Sequence, residues 1–325
     1  MSFAVVVGCI AWRSLYVRPY RPSFAVLDLA WSPDGKFVGA SGINHVAAWP
    51  RDGAPAQWRF WQGGYFVGVA FDEQCVTAVS MPGHVVRLSA GQGTVDSETS
   101  VLGFEVLPYH TQSGKCVRLS PDGRLLLVQS SKQHLILWDI ALNSKIVSLD
   151  MGAEAICVAL ALSRDGLHCA ATWYDDNWSV RMWDLSQPEP QPIDLVVPEL
   201  GECDAICFSA DRVFLAGTEL VVMDFAGELI HRQPIRLASC LDVDGEHGLI
   251  AVGCFDGSVQ LWENTTAPKL VCEWPRIDQM MPNAIAISPD GKKIAVGGAH
   301  TWLPPDGSGG FWIYDYLPAS SARVR

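Results

Sequence analysis

Short apolar runs alternate with short polar turns along this chain, at lengths typical of antiparallel β-strands. In one stretch, residues 249–253 and 258–262 flank Phe255-Asp256-Gly257. An Asp-Gly pair between two apolar runs favours a tight β-hairpin. The same layout recurs at 37–49, 125–138 and 294–314. More polar runs follow, as at 144–150 and 269–274, and their composition predicts outer strands.

The turns repeat a phrase, Ser-Pro-Asp-Gly or a close variant, at Ser32, Ser120, Ser163 and Ser288. Anchored on this turn residue, seven units follow one another at spacings of 35 to 48 residues. Their anchors are Ser32, Asp72, Ser120, Ser163, Ser209, Asp244 and Ser288. A large residue closes a later strand of each unit, namely Trp49, Leu88, Trp138, Trp183, Met223, Trp262 and Tyr314. Units of this length hold about four strands with their turns.

This arrangement resembles the WD-repeat β-propeller family, and the resemblance covers essentially all 325 residues. Trp-Asp occurs literally at Trp138 and Trp183, and Asp256 and Trp262 match two positions of the family's buried hydrogen-bond network. The Gly-His pair that usually precedes a blade is missing throughout. The resemblance implies an all-β fold, a single seven-bladed propeller of four-stranded antiparallel blades. The alternative is a β-sandwich in which such turns recur by chance.

The resemblance also implies how the ring closes. The last unit holds three strand candidates and lacks an outer strand, whereas a strand-like apolar run at 3–10 precedes the first unit. In the family such an N-terminal strand completes the last blade. We therefore expect one propeller over 1–325. Residues 1–12 would form the latching outer strand, 13–23 a linker, 24–318 the blades and 319–325 a tail.

Composition argues for an intracellular protein that does not bind nucleic acid. The chain carries 35 acidic against 23 basic residues, a net charge of −12, whereas binding phosphates needs clustered Lys and Arg. Ten cysteines lie mostly in apolar runs without CxxC pairs, which favours free thiols in the reducing cytoplasm. The apolar run at 3–10 is too short to span a bilayer and lacks the flanks of a signal peptide.

The sequence lacks the common motifs of catalytic, metal-binding and nucleotide-binding sites. The chain has no GxSxG elbow, phosphate-binding loop, HExxH or dinucleotide fingerprint. Cys203 and Cys207 have no His near them in sequence, and the eight His residues lie far apart. We expect no enzyme activity, no cofactor, no metal and no small-molecule substrate. The alternative is a ligand-sensing or hydrolytic propeller that uses the mouth of its central channel, and a nucleic-acid-binding propeller is a further one.

Function should then lie on surface loops. In a propeller, the loops between second and third strands and those between blades emerge on one face, and here they are rich in aromatic, Met and Arg residues, as protein interfaces are. The candidate partner-binding residues are Arg13, Arg18, Arg21, Trp61, Tyr65, Phe66, Tyr109, Trp173, Tyr174, Asp175, Asp176, Trp178, Met280, Met281 and Trp302. Trp173 and Trp178 flank one turn and are the favoured anchors. The sequence thus predicts a non-catalytic scaffold or adaptor subunit that binds protein partners within a complex.

Overall fold

The regular structure of this chain is β-strand. The computed structural model describes residues 18–20, 24–81, 83–101, 116–152, 156–174, 176–276, 280–299 and 309–316, and these ranges contain no helix. The strands are β1 (Arg18–Tyr20), β2 (Val26–Trp31), β3 (Phe37–Pro50), β4 (Trp58–Phe71), β5 (Cys75–Met81), β6 (His84–Ser89), β7 (Val95–Ser100), β8 (Val117–Leu119), β9 (Leu125–Gln129), β10 (His134–Asp139), β11 (Ser144–Asp150), β12 (Ile156–Leu162), β13 (His168–Tyr174), β14 (Trp178–Asp184), β15 (Pro192–Asp194), β16 (Cys203–Phe208), β17 (Arg212–Gly217), β18 (Glu219–Asp224), β19 (Leu229–Pro234), β20 (Ala238–Asp244), β21 (Leu249–Cys254), β22 (Val259–Glu263), β23 (Lys269–Trp274), β24 (Met281–Ile287), β25 (Lys293–Ala299) and β26 (Gly309–Asp315). The predicted all-β class is confirmed.

The Ser-Pro-Asp-Gly turns are held by a recurrent set of hydrogen bonds. Ser32 Oγ donates to Asp34 Oδ1 at 2.7 Å and accepts from the Phe37 N–H at 2.9 Å. The Gly35 N–H donates to the Ser32 carbonyl, and Gly35 has a φ of 66°, a left-handed conformation that favours glycine. The equivalent bonds occur in the turns at Ser120, Ser163 and Ser288. The repeated phrase therefore reverses the chain between two strands.

The strands form six sheets, so the prediction of seven four-stranded blades is wrong in this respect. Five sheets have four strands, and the sixth has six strands in the order β2 to β7. Two predicted units share this sheet because β3 and β4 are each 14 residues long. The first part of β3 pairs with β2 and the part from Ile43 pairs with β4. In β4, residues up to Tyr65 pair with β3, and those from Tyr65 onwards pair with β5.

The six-stranded sheet folds over along β4, so its two halves pack face to face. Val46 and Trp58 from one half and Phe66, Val76 and Val86 from the other belong to one buried cluster. Comparable clusters lie between the remaining neighbouring sheets, and one joins β2 and β3 to the sheet that contains β24, β25 and β26. Apolar burial between sheets, not within a single central core, therefore holds the ring together.

One strand from each unit faces the centre of the ring. These inner strands are β2, the second half of β4, β8, β12, β16, β20 and β24, and each packs beside the next, with β24 returning to β2. The sheets therefore close into a propeller around a central channel.

The last sheet has the order β1-β26-β25-β24, so an N-terminal strand forms its outer edge. The pairing strand is Arg18–Tyr20, which runs antiparallel to Phe311, Trp312 and Ile313. Arg18–Tyr20 lies in the stretch 13–23, which the sequence predicts to be a linker, and forms an outer strand instead. The predicted latch at 1–12 lies outside the described residues, as does the tail.

The hydrogen-bond network implied by the resemblance is reduced. Asp256 Oδ1 accepts from the N–H and Oγ of Ser258, and its Oδ2 accepts from Arg236. Trp262 Nε1 is buried and finds no acceptor among the described residues. Burial of the Trp262 ring against the neighbouring sheet therefore accounts for its position.

Candidate interaction surface

The two ends of the ring carry different loops. Because neighbouring strands are antiparallel, successive turns alternate between the ends. One end carries the turns that follow the inner strands, including the Ser-Pro-Asp-Gly turns, and we call it the turn face. The other end carries the turns between second and third strands and the connections between units, and we call it the loop face. The channel opens between them.

Exposed aromatic side chains distinguish the loop face. In the described part of the chain, the large aromatic residues with more than a third of their surface exposed are Trp61 at 68%, Tyr65 at 39% and Tyr174 at 55%. All three lie at the loop face, in the connection between the first two units and in the turn between β13 and β14. The exposed apolar residues of the turn face, such as Leu142 and Leu167, are aliphatic.

The first aromatic site is the corner of β4 that carries Trp61 and Tyr65. The corner is open: a Cβ on Gly63 would meet no atom within 4 Å, and Gly64 has a φ of 136°. The Gly64 N–H donates to Asn44 Oδ1 at 2.9 Å, which fixes the corner to the neighbouring turn. Trp61 pairs in register with His45. The backbone thus presents both aromatic rings outwards on a connected strand instead of a loose loop.

The second aromatic site is the hairpin between β13 and β14. Tyr174 and Trp178 pair in register, and their ring centroids are 5.5 Å apart. Tyr174 is exposed, whereas Trp178 is half-buried against the cluster between two sheets. Asp176 in the turn is exposed. The hairpin therefore offers a paired aromatic surface with an acidic tip.

Trp173 does not belong to this surface, and its predicted exposure is wrong. Its side chain is 4% exposed and packs in the cluster between the third and fourth units. The Arg181 guanidinium lies 5.7 Å from the centre of its ring and also contacts Asp194 and the Met151 carbonyl. Trp173 is therefore covered on its outer side and supports the hairpin from beneath.

The other predicted positions divide into three groups. Phe66 and Met280 are buried, so their predicted exposure is wrong, because Phe66 points into the cluster along β4 and Met280 into the one beside β24. Met281 is half-buried at the start of β24, and Arg18 lies in β1. Five positions lie outside the described residues: Arg13, Arg21, Tyr109, Asp175 and Trp302.

The channel holds charged groups that the motif search missed. It contains a cavity of about 550 Å³ whose lining includes Asp28, Arg118, Arg164 and Asp242. Asp28 Oδ2 accepts from the Val69 N–H at 2.9 Å, and its Oδ1 lies 3.6 Å from Arg118 Nη1. Asp242 Oδ2 accepts from the Ile287 N–H at 2.7 Å. Each carboxylate therefore links its own unit to the next one in the ring.

Burial governs the acid–base behaviour of the channel carboxylates. It raises the pKa of Asp28, against the opposing effects of the Arg118 guanidinium and the Val69 N–H. It also raises the pKa of Asp242, against the N–H groups of Ile287 and Val243 and the more distant Arg164. Both carboxylates thus pay a desolvation cost when they ionise.

Metal binding and thiol chemistry find little support. Within the described ranges, no three His, Cys, Asp or Glu side chains are grouped to hold a metal ion. The nine described cysteines form no disulfide, and burial raises the pKa of Cys207 and of Cys272 to about 12. Such thiols are poor nucleophiles. No helix long and apolar enough to cross a membrane occurs among the described residues.

Comparison with known proteins agrees with this fold. The family model described as "WD domain, G-beta repeat" matches residues 229–263. "Protein groucho" of Drosophila melanogaster is 25% identical over 150 residues, which is 46% of this chain and 15% of that protein. The match thus spans a small part of that relative.

Two solved structures are similar over nearly their whole length. "Structure of U3-55K" has a TM-score of 0.73 and covers 92% of this chain and 98% of its own. "Crystal structure of RRP9 WD40 repeats" has a TM-score of 0.74, with 93% and 97% covered. Both are 15% identical to this chain, so this likeness speaks for the fold alone. The predicted resemblance to the WD-repeat β-propellers is confirmed.

Proposed function

Because this chain shares the fold of the WD-repeat β-propellers and matches their repeat model, we propose that it is a non-catalytic scaffold or adaptor subunit. It binds one or more protein partners through the loop face. The observation that carries this proposal is the exposure of Trp61, Tyr65 and Tyr174 at that face.

The chemistry of these side chains supports protein binding. Large aromatic rings bury much apolar area when a partner covers them, and a few such anchors supply most of the energy of an interface. Trp61 has two thirds of its surface exposed, and Tyr174 more than half. Leaving rings of this size in water gains nothing for folding. Their placement on ordered strands means that little conformational freedom is lost on binding.

The proposed role involves no cofactor, metal, small-molecule substrate or nucleic acid. A scaffold requires no cofactor, metal or substrate, and a net charge of −12 disfavours nucleic acid as the partner. The absence of disulfides among the described cysteines suits the reducing cytoplasm. The charged channel favours a second candidate function, a ligand site at the centre of the ring.

Affinity capture with matched variants tests the proposal. Tagged protein expressed at native level is compared with Trp61→Ala, Tyr174→Ala and Leu142→Ala, the last being an apolar residue 71% exposed at the turn face. We expect the first two to weaken capture of the wild-type partners by about tenfold or more, as loss of an interface anchor does. Leu142→Ala should retain them. Equal capture by all three variants would contradict the proposal.

A further inference from the structure

Equivalent positions of the seven inner strands can be compared with one another. Two positions of each inner strand, two and four residues before the turn anchor, give fourteen sites. Eleven are Ala, Gly or Cys, and the three exceptions are charged: Asp28, Arg118 and Asp242. At the position of Asp242, four other units carry alanine, namely Ala30, Ala70, Ala161 and Ala286. Alanine therefore satisfies the fold in these four units, so the bond from the Ile287 N–H to Asp242 is not a general requirement of the ring.

Asp242 lacks a charged partner in contact with it. Its two oxygens accept from the N–H groups of Ile287 and Val243, and among the described residues no Lys, Arg or His nitrogen lies within 4.0 Å of it. Asp28, by contrast, has Arg118 at 3.6 Å. A carboxylate withdrawn from bulk water normally acquires a cation. The channel thus holds a carboxyl group that no cation contacts among the described residues.

Arg164 supplies a positive charge without a salt-bridge partner in the lining of the same cavity. It lies in the turn after β12, where the corresponding turns at Ser32, Ser120 and Ser288 have proline. Its side chain lines the cavity and makes no salt bridge within the described ranges. Arg164 is near enough to favour the ionised form of Asp242, yet the two groups are not in contact. The two groups of opposite charge therefore line one cavity without contacting each other.

We propose that the channel binds a small zwitterion of the free amino acid class, whose ammonium pairs with Asp242 and whose carboxylate pairs with Arg164. The cavity of about 550 Å³ has the size of a small-ligand pocket. The rest of the lining includes small apolar side chains such as Ala161, Cys207 and Ala286. The ligand side chain is therefore apolar. This site is independent of the loop face.

Calorimetric titration of the full chain with L-alanine, L-valine and L-leucine tests this site. At least one of them should bind saturably with one site per chain. For leucine, 3-methylbutylamine lacks the carboxylate and 4-methylpentanoate lacks the ammonium. Each should bind about tenfold more weakly or worse, because each loses one charged contact.

Variants that carry the residues found in other units locate the site. Asp242→Ala introduces the residue of four other units, and Arg164→Pro recreates Ser-Pro-Asp-Gly. Both should unfold cooperatively like the wild type and lose binding about tenfold or more. Lys292→Ala removes an exposed cation of the turn face outside the cavity lining and should bind normally.

Three results would overturn the proposal: no saturable binding of any of the three amino acids, equal binding of the single-charge analogues, or wild-type binding by both variants. If Asp242→Ala failed to fold, Asp242→Asn, which keeps the side-chain shape, would take its place in the same titration. Partner capture through Trp61 and Tyr174 would be unaffected by any of these results.

Discussion

Glycine in a Ser-Pro-Asp-Gly turn has two separable roles, and two turns of this ring distinguish them. Gly35 and Gly123 both have a φ of 66°. A Cβ on Gly35 would meet its nearest neighbour, Arg51, at an ordinary 3.5 Å, whereas a Cβ on Gly123 would lie 2.5 Å from Oγ1 of buried Thr77. One turn needs glycine for its backbone, and the other also needs it for space.

We therefore expect Gly35→Ala to lower the free energy of unfolding by about 1 kcal/mol, the cost of left-handed backbone. Gly123→Ala should cost about 1–3 kcal/mol more, because Thr77 must shift in a packed core. Denaturant unfolding of both variants measures the difference. Equal losses would show that the contact with Thr77 does not limit the turn.

The half-buried carboxylate of Asp242 predicts a dependence of stability on pH. Burial raises its pKa in the folded chain, so the folded protein binds a proton there at a higher pH than the unfolded chain, whose pKa is about 4. Stability from this group is full below pH 4 and is lost as pH rises through the raised pKa. Arg164, which lowers this pKa, and Asp244, which raises it, remain in both proteins compared.

Asp242→Ala should consequently gain in Tm relative to the wild type as the pH rises from 4 to 7. Thermal unfolding without ligand, measured in parallel across this range, gives the difference directly. A Tm difference that stays constant with pH would mean that Asp242 does not titrate differently in the two states.

The aromatic residues of the β13–β14 hairpin show which exposures the sequence could predict and which it could not. Tyr174 and Trp178 were predicted at the loop face and lie there, whereas Trp173 is buried. Every residue of β13 from Cys169 to Trp173 is buried, whichever face of the sheet it lies on. An alternation of polar and apolar residues therefore cannot show which of these side chains is exposed. The cover over Trp173 comes from Arg181 on the next strand, which is a tertiary contact that no local pattern reveals.

At the level of elements, the turns and the outer strands could be predicted from the sequence. The polar runs at 144–150 and 269–274 are β11 and β23, and the Asp-Gly hairpin at Gly257 joins β21 to β22. The merging of two units could not be foreseen, because it depends on β3 and β4 continuing through positions that read as turns. The charges of the channel could have been found by aligning the units on their anchors.

The strand β1 is the element whose removal tests ring closure. It supplies the outer edge of the last sheet through three paired residues. Deleting residues 1–23 should lower the free energy of unfolding by roughly 2 kcal/mol or more, because three ladder positions lose their partners. Deleting residues 1–12 leaves β1 in place and should cost less. Denaturant unfolding compares the two, and equal losses from the two deletions would contradict ring closure by β1.

For the whole molecule, the arrangement separates rigid support from recognition. Clusters between neighbouring sheets hold the ring, and the Ser-Pro-Asp-Gly turns form one plain face. The exposed aromatic rings lie at the opposite face, on strands that belong to the same ring. A partner that docks there meets a surface already ordered, and the channel charges lie apart from it.

Hydrogen–deuterium exchange with and without a purified partner tests the central claim most directly, because it reports which face is covered. We predict slowed exchange at residues 58–66 and 172–180 of the loop face in the complex. Exchange in the turns at 32–36 and 120–124 should be unchanged. Protection confined to those turns, with none at the loop face, would contradict the account.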